Sequence, residues 1–115
     1  MRPEDEERLR HMLDAAKEAV SFVEDKKRTN LDKDRQLALA LVKEIEIIGE
    51  AAIKVTEAIQ KNLVQIPWSD IIGMRHRLVH AYFDINLNML WKTVQEALPP
   101  LIEALDTILA ANPKE

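Results

Sequence analysis

The chain has 115 residues, no cysteine, and 16 Lys and Arg against 20 Asp and Glu, for a formal charge of −4. That length allows one domain with one core. The missing cysteine excludes disulfides, thiolate metal sites and thiol nucleophiles, and the mild acidity excludes a general nucleic-acid coat, which needs a broad basic footprint.

The N-terminal residues Met1 to Glu7 are acidic with no apolar run behind them, so no secretory signal is expected. The longest apolar run, Leu37 to Val42, is six residues, far too short to cross a bilayer. A cytoplasmic location without a membrane partner is the expectation. With only two glycines and 47% hydrophobic residues, the composition favours helices over many strands.

The first helix starts near Pro3, with acids in its first turn. Leu9, Leu13, Ala16, Val20 and Val23 recur at four, three, four and three, one apolar stripe. Asp25 to Asn30 is a polar connector in which Thr29 or Asn30 can cap the next helix. The spacing then predicts a long second helix from about Leu31 to Leu63, on the stripe Leu37, Leu41, Ile45, Ile48, Ala52, Val55, Ile59. Gly49 inside it suggests a close helix approach, and Glu46 and Glu50 flank the stripe one turn apart.

Ile66-Pro67-Trp68-Ser69-Asp70 breaks and restarts the chain. A third helix is predicted from about Trp68 to Tyr82, then a turn at Phe83 to Asn86, with Asp84 or Asn86 capping a fourth helix. Leu87, Leu90, Trp91, Val94 and Leu98 share its apolar face; Pro99-Pro100 is expected to kink or break it, and Leu101, Leu105, Ile108 and Leu109 carry the face on toward a frayed Asn112 to Glu115 tail. The expected architecture is all-α: an antiparallel four-helix bundle, or five if the last helix is split, formed by one domain over residues 1–115.

The third helix holds the chemistry. Ile71 to Phe83 carries Arg75, Arg77, His76, His80 and Tyr82. At about 100° per residue, Ile71, Met74, Leu78, Val79 and Tyr82 fall on one arc, with Arg75 inside it and His76 at its edge. His80 falls on the opposite side beside Gly73, about 140° from Arg75 by the same rotation. A charge in an apolar arc needs an acceptor, and Glu46 or Glu50 is the candidate. Residues alone leave Arg75 open between a structural ion pair and a phosphate clamp, His80 between a surface or interface group and a proton carrier, and Tyr82 between packing and chemistry. His76, His80 and Asp84, spaced four and four, raise a zinc site. No HExxH pattern or cysteine supports it, so no metal and no cofactor are expected.

Arg75-His76-Arg77-Leu78-Val79-His80-Ala81-Tyr82 has the form Arg-x4-His-x-Tyr. It resembles the motif of the HEPN superfamily, specifically of HepT-type toxins of MNT–HEPN toxin–antitoxin systems. The flanks resemble that family too: Glu46-Ile47-Ile48-Gly49-Glu50-Ala51, Ile66-Pro67-Trp68 followed by Ile71-Ile72-Gly73-Met74-Arg75, Asp84-Ile85-Asn86-Leu87 with Trp91, and Leu98-Pro99 with Leu101. The resemblance runs from about Leu37 to Leu105. One position departs from it: the residue after the arginine is most often asparagine in the family and is His76 here.

The resemblance implies a HEPN-like fold and a metal-independent endoribonuclease, active as a homodimer with the motif at the interface. It implies RNA as substrate, Arg75 and His80 as the catalytic pair, and His76 and Arg77 as secondary or RNA-contacting groups. It also implies a nucleotidyltransferase antitoxin of the MNT type, able to form a larger hetero-oligomer with the toxin and to AMPylate Tyr82. Two other functions remain open at this point: a non-catalytic HEPN-like nucleotide-binding or protein-interaction module, and a purely structural helical dimer.

Overall fold

The computed structural model describes residues 1–81 and 84–111. Its elements are α1 (Pro3–Phe22), α2 (Asn30–Lys33), α3 (Arg35–Lys54), α4 (Glu57–Asn62), α5 (Trp68–Leu78), α6 (Leu87–Lys92) and α7 (Leu98–Ala110), with a π turn at Thr93–Ala97 joining the last two into one continuous helix. The fold is an all-α bundle. α3 is its spine: it packs on α1 along one side and on α5 along the other, and α7 lies against α1. Leu9 and Met12 of α1, Leu41, Ile45 and Ile48 of α3, Leu78 of α5, and Leu90, Leu98 and Leu105 fill the centre with no more than about 1% exposure each. None of the described helices is long and apolar enough to cross a membrane.

The long helix expected from Leu31 to Leu63 is three helices. Asp34 leaves helical geometry and accepts a hydrogen bond from the Leu37 N–H at 3.0 Å, capping α3. At the other end Val55 and Thr56 are extended. A partner 51 positions away holds them there. Asp5 of α1, 1% exposed, accepts from the Thr56 N–H at 2.9 Å and from its hydroxyl at 2.8 Å. These bonds satisfy a buried carboxylate that would otherwise be very costly, and they place the start of α1 beside the end of α3, so the two run antiparallel. Gln60 closes the break by donating to the Ala52 and Val55 carbonyls.

α3 and α5 are also antiparallel, and Gly49 is where they come close. A methyl group at Gly49 would lie 3.5 Å from the Ile71 carbonyl oxygen and 3.6 Å from that of Ile72. Those are ordinary contacts, so the glycine admits one carbon and no more. Gly49→Ala is expected to be neutral or to stabilise by up to about 1 kcal/mol through helix propensity. Gly49→Leu is expected to destabilise by about 1–3 kcal/mol by overpacking. Denaturant midpoints of the two variants check both signs.

The final helix does not break at Pro99-Pro100. Buried Leu90, Val94, Leu98, Leu101, Leu105 and Ile108 are spaced four, four, three, four and three. Two fours in succession carry one residue too many for a seven-residue period. At the π turn the Leu98 N–H bonds back to the Thr93 carbonyl, which absorbs the extra residue. The widened turn lies just ahead of the prolines, and the helix runs on past them without a break.

On the α1–α3 seam sits a second buried acid. Glu44 is 5% exposed, its Oε2 has no hydrogen-bond partner among the described residues, and it lines a depression of about 230 Å³ with His11, Asp14 and Glu18. Burial pushes its carboxyl up to about 7, and the neighbouring Glu18 carboxyl adds to the shift.

Candidate active site

α5 ends earlier than its apolar spacing suggests. The spacing predicts helix to Tyr82; the helix stops at Leu78, and Val79 is extended and bridged to Ile85. The Asn86 N–H donates to the Leu78 carbonyl at 2.8 Å, and the His80 N–H donates to the Asp84 carbonyl at 3.0 Å. Val79 is β-branched and pairs with another apolar β-branched residue, which favours extended geometry over a further helical turn. Asn86 then caps α6 by accepting from the Met89 N–H at 3.0 Å, as its position in the sequence suggests. The motif is thus divided: Arg75, His76 and Arg77 occupy the last turn of α5, and His80 lies on the loop beyond it. Three cationic or ionisable residues at a helix C-terminus complement its negative end.

Arg75 is not enclosed by the apolar arc on which its rotation falls. Its side chain is 48% exposed, because the arc reaches the bundle edge in this last turn and a long side chain carries its charge outward. Its Nε donates to Glu46 Oε2 on α3 at 2.9 Å. The other Glu46 oxygen accepts from Lys43 Nζ at 3.3 Å. The hydrogen bond from Arg75 holds the Glu46 carboxyl below the usual carboxylate range; partial burial opposes this and Lys43 reinforces it. Nη1 and Nη2 of Arg75 make no hydrogen bond among the described residues. The ion pair stands between two depressions. One, of about 320 Å³, is lined by Gly49, Glu50, Ile53 and Ile72; the other, of about 220 Å³, by Leu39, Val42, Val79 and Ile85. Glu50, the alternative acceptor, is exposed beside the pair and does not bond it.

Arg77 belongs to a different surface. Its Nη2 donates to the Asp70 carbonyl at 2.8 Å, one helical face away from Arg75. It lines a cavity of about 660 Å³ between α5 and the α6–α7 helix, with Lys92 at the rim and Ile71, Met74, Leu98 and Leu101 among the lining residues. His76 and His80 are exposed, and neither side chain makes a hydrogen bond among the described residues. The helical rotation that set His80 opposite Arg75 does not apply, since His80 is past the helix end. Tyr82 lies outside the described residues. Among the described residues no group of three or more His, Asp or Glu side chains is arranged to hold a metal ion.

Among the described residues the arrangement therefore offers an arginine with its two terminal nitrogens uncommitted and two exposed histidines without side-chain hydrogen bonds. These are groups that suit phosphate binding and proton transfer. A family model described as ribonuclease HepT-like matches residues 12–108, from α1 through nearly all of α7. The chain belongs to the HepT-like ribonuclease family. Among similar proteins, the probable ribonuclease HepT of Thermococcus cleftensis is 33% identical over 93 residues, covering 77% of this chain and 84% of that one. A protein of Caldanaerobacter subterraneus subsp. tengcongensis named "Putative RNase" is 32% identical over 101 residues, 88% of this chain and 90% of its own. Another of that name, from Methanocaldococcus jannaschii, is 27% identical over 100 residues, 87% and 92% of the two chains. No solved structure matches.

In this HepT-like ribonuclease the residue that sequence reasoning passed over is Lys43. Its signal was available: it precedes Glu46 by three on one helix, the spacing at which side chains meet. The HepT-like match also spans every element that builds the Arg75–Glu46 pair, namely α3, α5 and the bridge that ends it.

Proposed function

We propose that this HepT-like ribonuclease is a metal-independent endoribonuclease toxin, cutting RNA at a site formed by Arg75 and His80. One observation carries the reading: among the described residues Arg75 is anchored by a single nitrogen, leaving the two-pronged end of its guanidinium for a phosphate. His80 takes the proton of a ribose 2′-hydroxyl. The freed 2′ oxygen attacks the adjacent phosphorus, Arg75 offsets the charge gathering on the phosphoryl oxygens, and the 5′ oxygen leaves with a proton. The products are a 2′,3′-cyclic phosphate end and a 5′-hydroxyl end. Two copies supply two His80 side chains, one to accept a proton and one to donate it. Leu39, Ile53 and Ile72 support pairing of copies here: they are 46%, 61% and 36% exposed and flank the Arg75–Glu46 pair, an apolar surface of the kind a partner covers.

The toxin is held in check by an MNT-type nucleotidyltransferase that transfers AMP to Tyr82. A bulky anion placed beside a phosphate site excludes RNA by occupancy and repulsion. His76 and Arg77 serve orientation and backbone contact.

The test is purified chain incubated with RNA in excess chelator. Cleavage leaving 2′,3′-cyclic phosphate ends is the expected result, from a particle with the mass of a dimer at micromolar concentration. Cleavage lost with chelator overturns metal independence. RNA bound but never cut marks a non-catalytic module instead, and an active monomer overturns the shared site.

A further inference from the structure

Glu46 has no part in the reaction as written, yet it makes the only side-chain hydrogen bond that Arg75 has among the described residues. We propose that Glu46 is the positioning residue of the site: by accepting from Nε at 2.9 Å it fixes Arg75 so that Nη1 and Nη2 face outward as a preset two-pronged clamp for the scissile phosphate. This inference rests on the ribonuclease reading above and adds a role to it.

Three features argue for positioning over plain stabilisation. First, the bond is made on the side nitrogen. A carboxylate meeting the guanidinium end-on would occupy both terminal nitrogens and leave an anion only the side fork of Nε and one Nη. Second, both partners stand on rigid elements. Glu46 lies one turn before Gly49, where α3 and α5 approach at van der Waals contact through the Ile71 and Ile72 carbonyls. The two side chains thus extend from helices whose separation is fixed beside them, the condition for holding a catalytic geometry. Third, the pair is half in solvent, with side-chain exposures of 48% and 28%, and pairs so exposed contribute little to folding. Lys43 on the second oxygen adds to the lowering that the Arg75 hydrogen bond gives the Glu46 carboxyl.

Holding an anion next to a phosphate site has a cost. Glu46 repels the RNA backbone while it orders the arginine. Its removal therefore acts on binding and turnover in opposite senses, which a merely structural residue does not do. Glu46→Ala is expected to lower kcat about 10–100-fold, the usual effect of losing a group that orients a working side chain, while KM stays level or falls. Glu46→Gln keeps an acceptor for Nε and loses the charge, so most of kcat should return with KM below wild type. Arg75→Lys, which keeps a charge and loses the fork, should behave like Glu46→Ala in turnover.

The measurements are kcat and KM for a short RNA with these variants, alongside their thermal midpoints. Unchanged kcat in Glu46→Ala overturns the inference, and so does a rise in KM at fixed kcat. If Glu46→Ala does not fold, Glu46→Asp, which draws the acceptor back by one carbon, is read in the same way. The two proposals fail separately. Wild-type chain that cuts no RNA sinks the ribonuclease reading, whereas wild type that cuts, with Arg75→Ala inactive and Glu46→Ala fully active, sinks only the role of Glu46.

Discussion

RNA cleavage by the His80→Ala variant is expected to fall about 10²–10⁴-fold, the range for loss of a general acid or base. His80 is exposed and makes no side-chain hydrogen bond among the described residues, so the protein should fold unchanged. That separation makes the variant clean: the far-ultraviolet spectrum and unfolding midpoint should match wild type while the rate collapses. Arg75→Ala should lose about 10²–10³-fold, as for removal of one group that stabilises developing charge. Its fold should also survive, because the pair it breaks is largely solvated. In cells, expression of the wild-type chain without the proposed antitoxin should slow growth, and His80→Ala should not. A His80→Ala protein that still cuts RNA at the wild-type rate removes His80 from the chemistry.

The second large effect concerns stability and pH. Glu44 has a carboxyl raised from 4.5 to about 7, chiefly because it is buried and further because Glu18 faces it. In the folded chain the proton is held more tightly than in the unfolded chain. The neutral form thus contributes stability in full below about 4.5, and that contribution is lost progressively as pH rises to about 7. The interval corresponds to about 3 kcal/mol, an upper figure for this one group. Asp14 and Glu18 on α1 line the same depression, along with His11 and with Ile47 of α3; of these groups the Glu18 carboxyl is the one that opposes ionisation of Glu44. Glu44→Gln removes the titration and keeps the shape. At pH 8 the variant should be more stable than wild type by about 2–3 kcal/mol. Below pH 4.5 the two should converge. Denaturant unfolding at pH 4, 6 and 8 resolves the trend. A Glu44→Gln protein less stable than wild type at pH 8 shows that ionised Glu44 has a favourable partner and ends the argument.

Most of the helical surface was legible from apolar spacing. Leu9, Leu13 and Ala16 are buried on α1, and Leu37, Leu41, Ile45 and Ile48 on α3, as their four-three recurrence predicts. Spacing reads which face is buried; it does not read where a helix stops. Val55 is buried and Ile59 half-buried in phase with α3, so the stripe runs across a break that a distant carboxylate, Asp5, imposes on Thr56. Asp34 stands three residues before Leu37, a capping spacing that the continuing stripe masks. α5 fell short for a similar reason, since Val79 fits the helical arc and is taken instead by Ile85. The site was legible in composition and not in geometry. The need for an acceptor near an apolar arc narrowed the partner of Arg75 to Glu46 or Glu50, and Glu46 is the one that bonds it. Its exposure did not, because an ideal wheel has no ends. Asp5 and Glu44, the buried acids, were not foreseen, as a carboxylate at helical spacing looks the same whether it faces water or a neighbouring helix.

The π turn at Thr93–Ala97 changes what kind of alteration the C-terminal helix can absorb. Gln95, Glu96 and Ala97 are exposed, so replacing any of them should leave the bundle intact. Changing the number of residues is another matter, and the sign decides the effect. A one-residue deletion within the turn would restore a regular helix and keep Leu101, Leu105 and Ile108 in phase with Leu90 and Val94. A one-residue insertion, beyond the one the turn already absorbs, would swing everything after it by about 100°, taking those three side chains out of the core together. In this stretch the fold is indifferent to spelling and sensitive to added length.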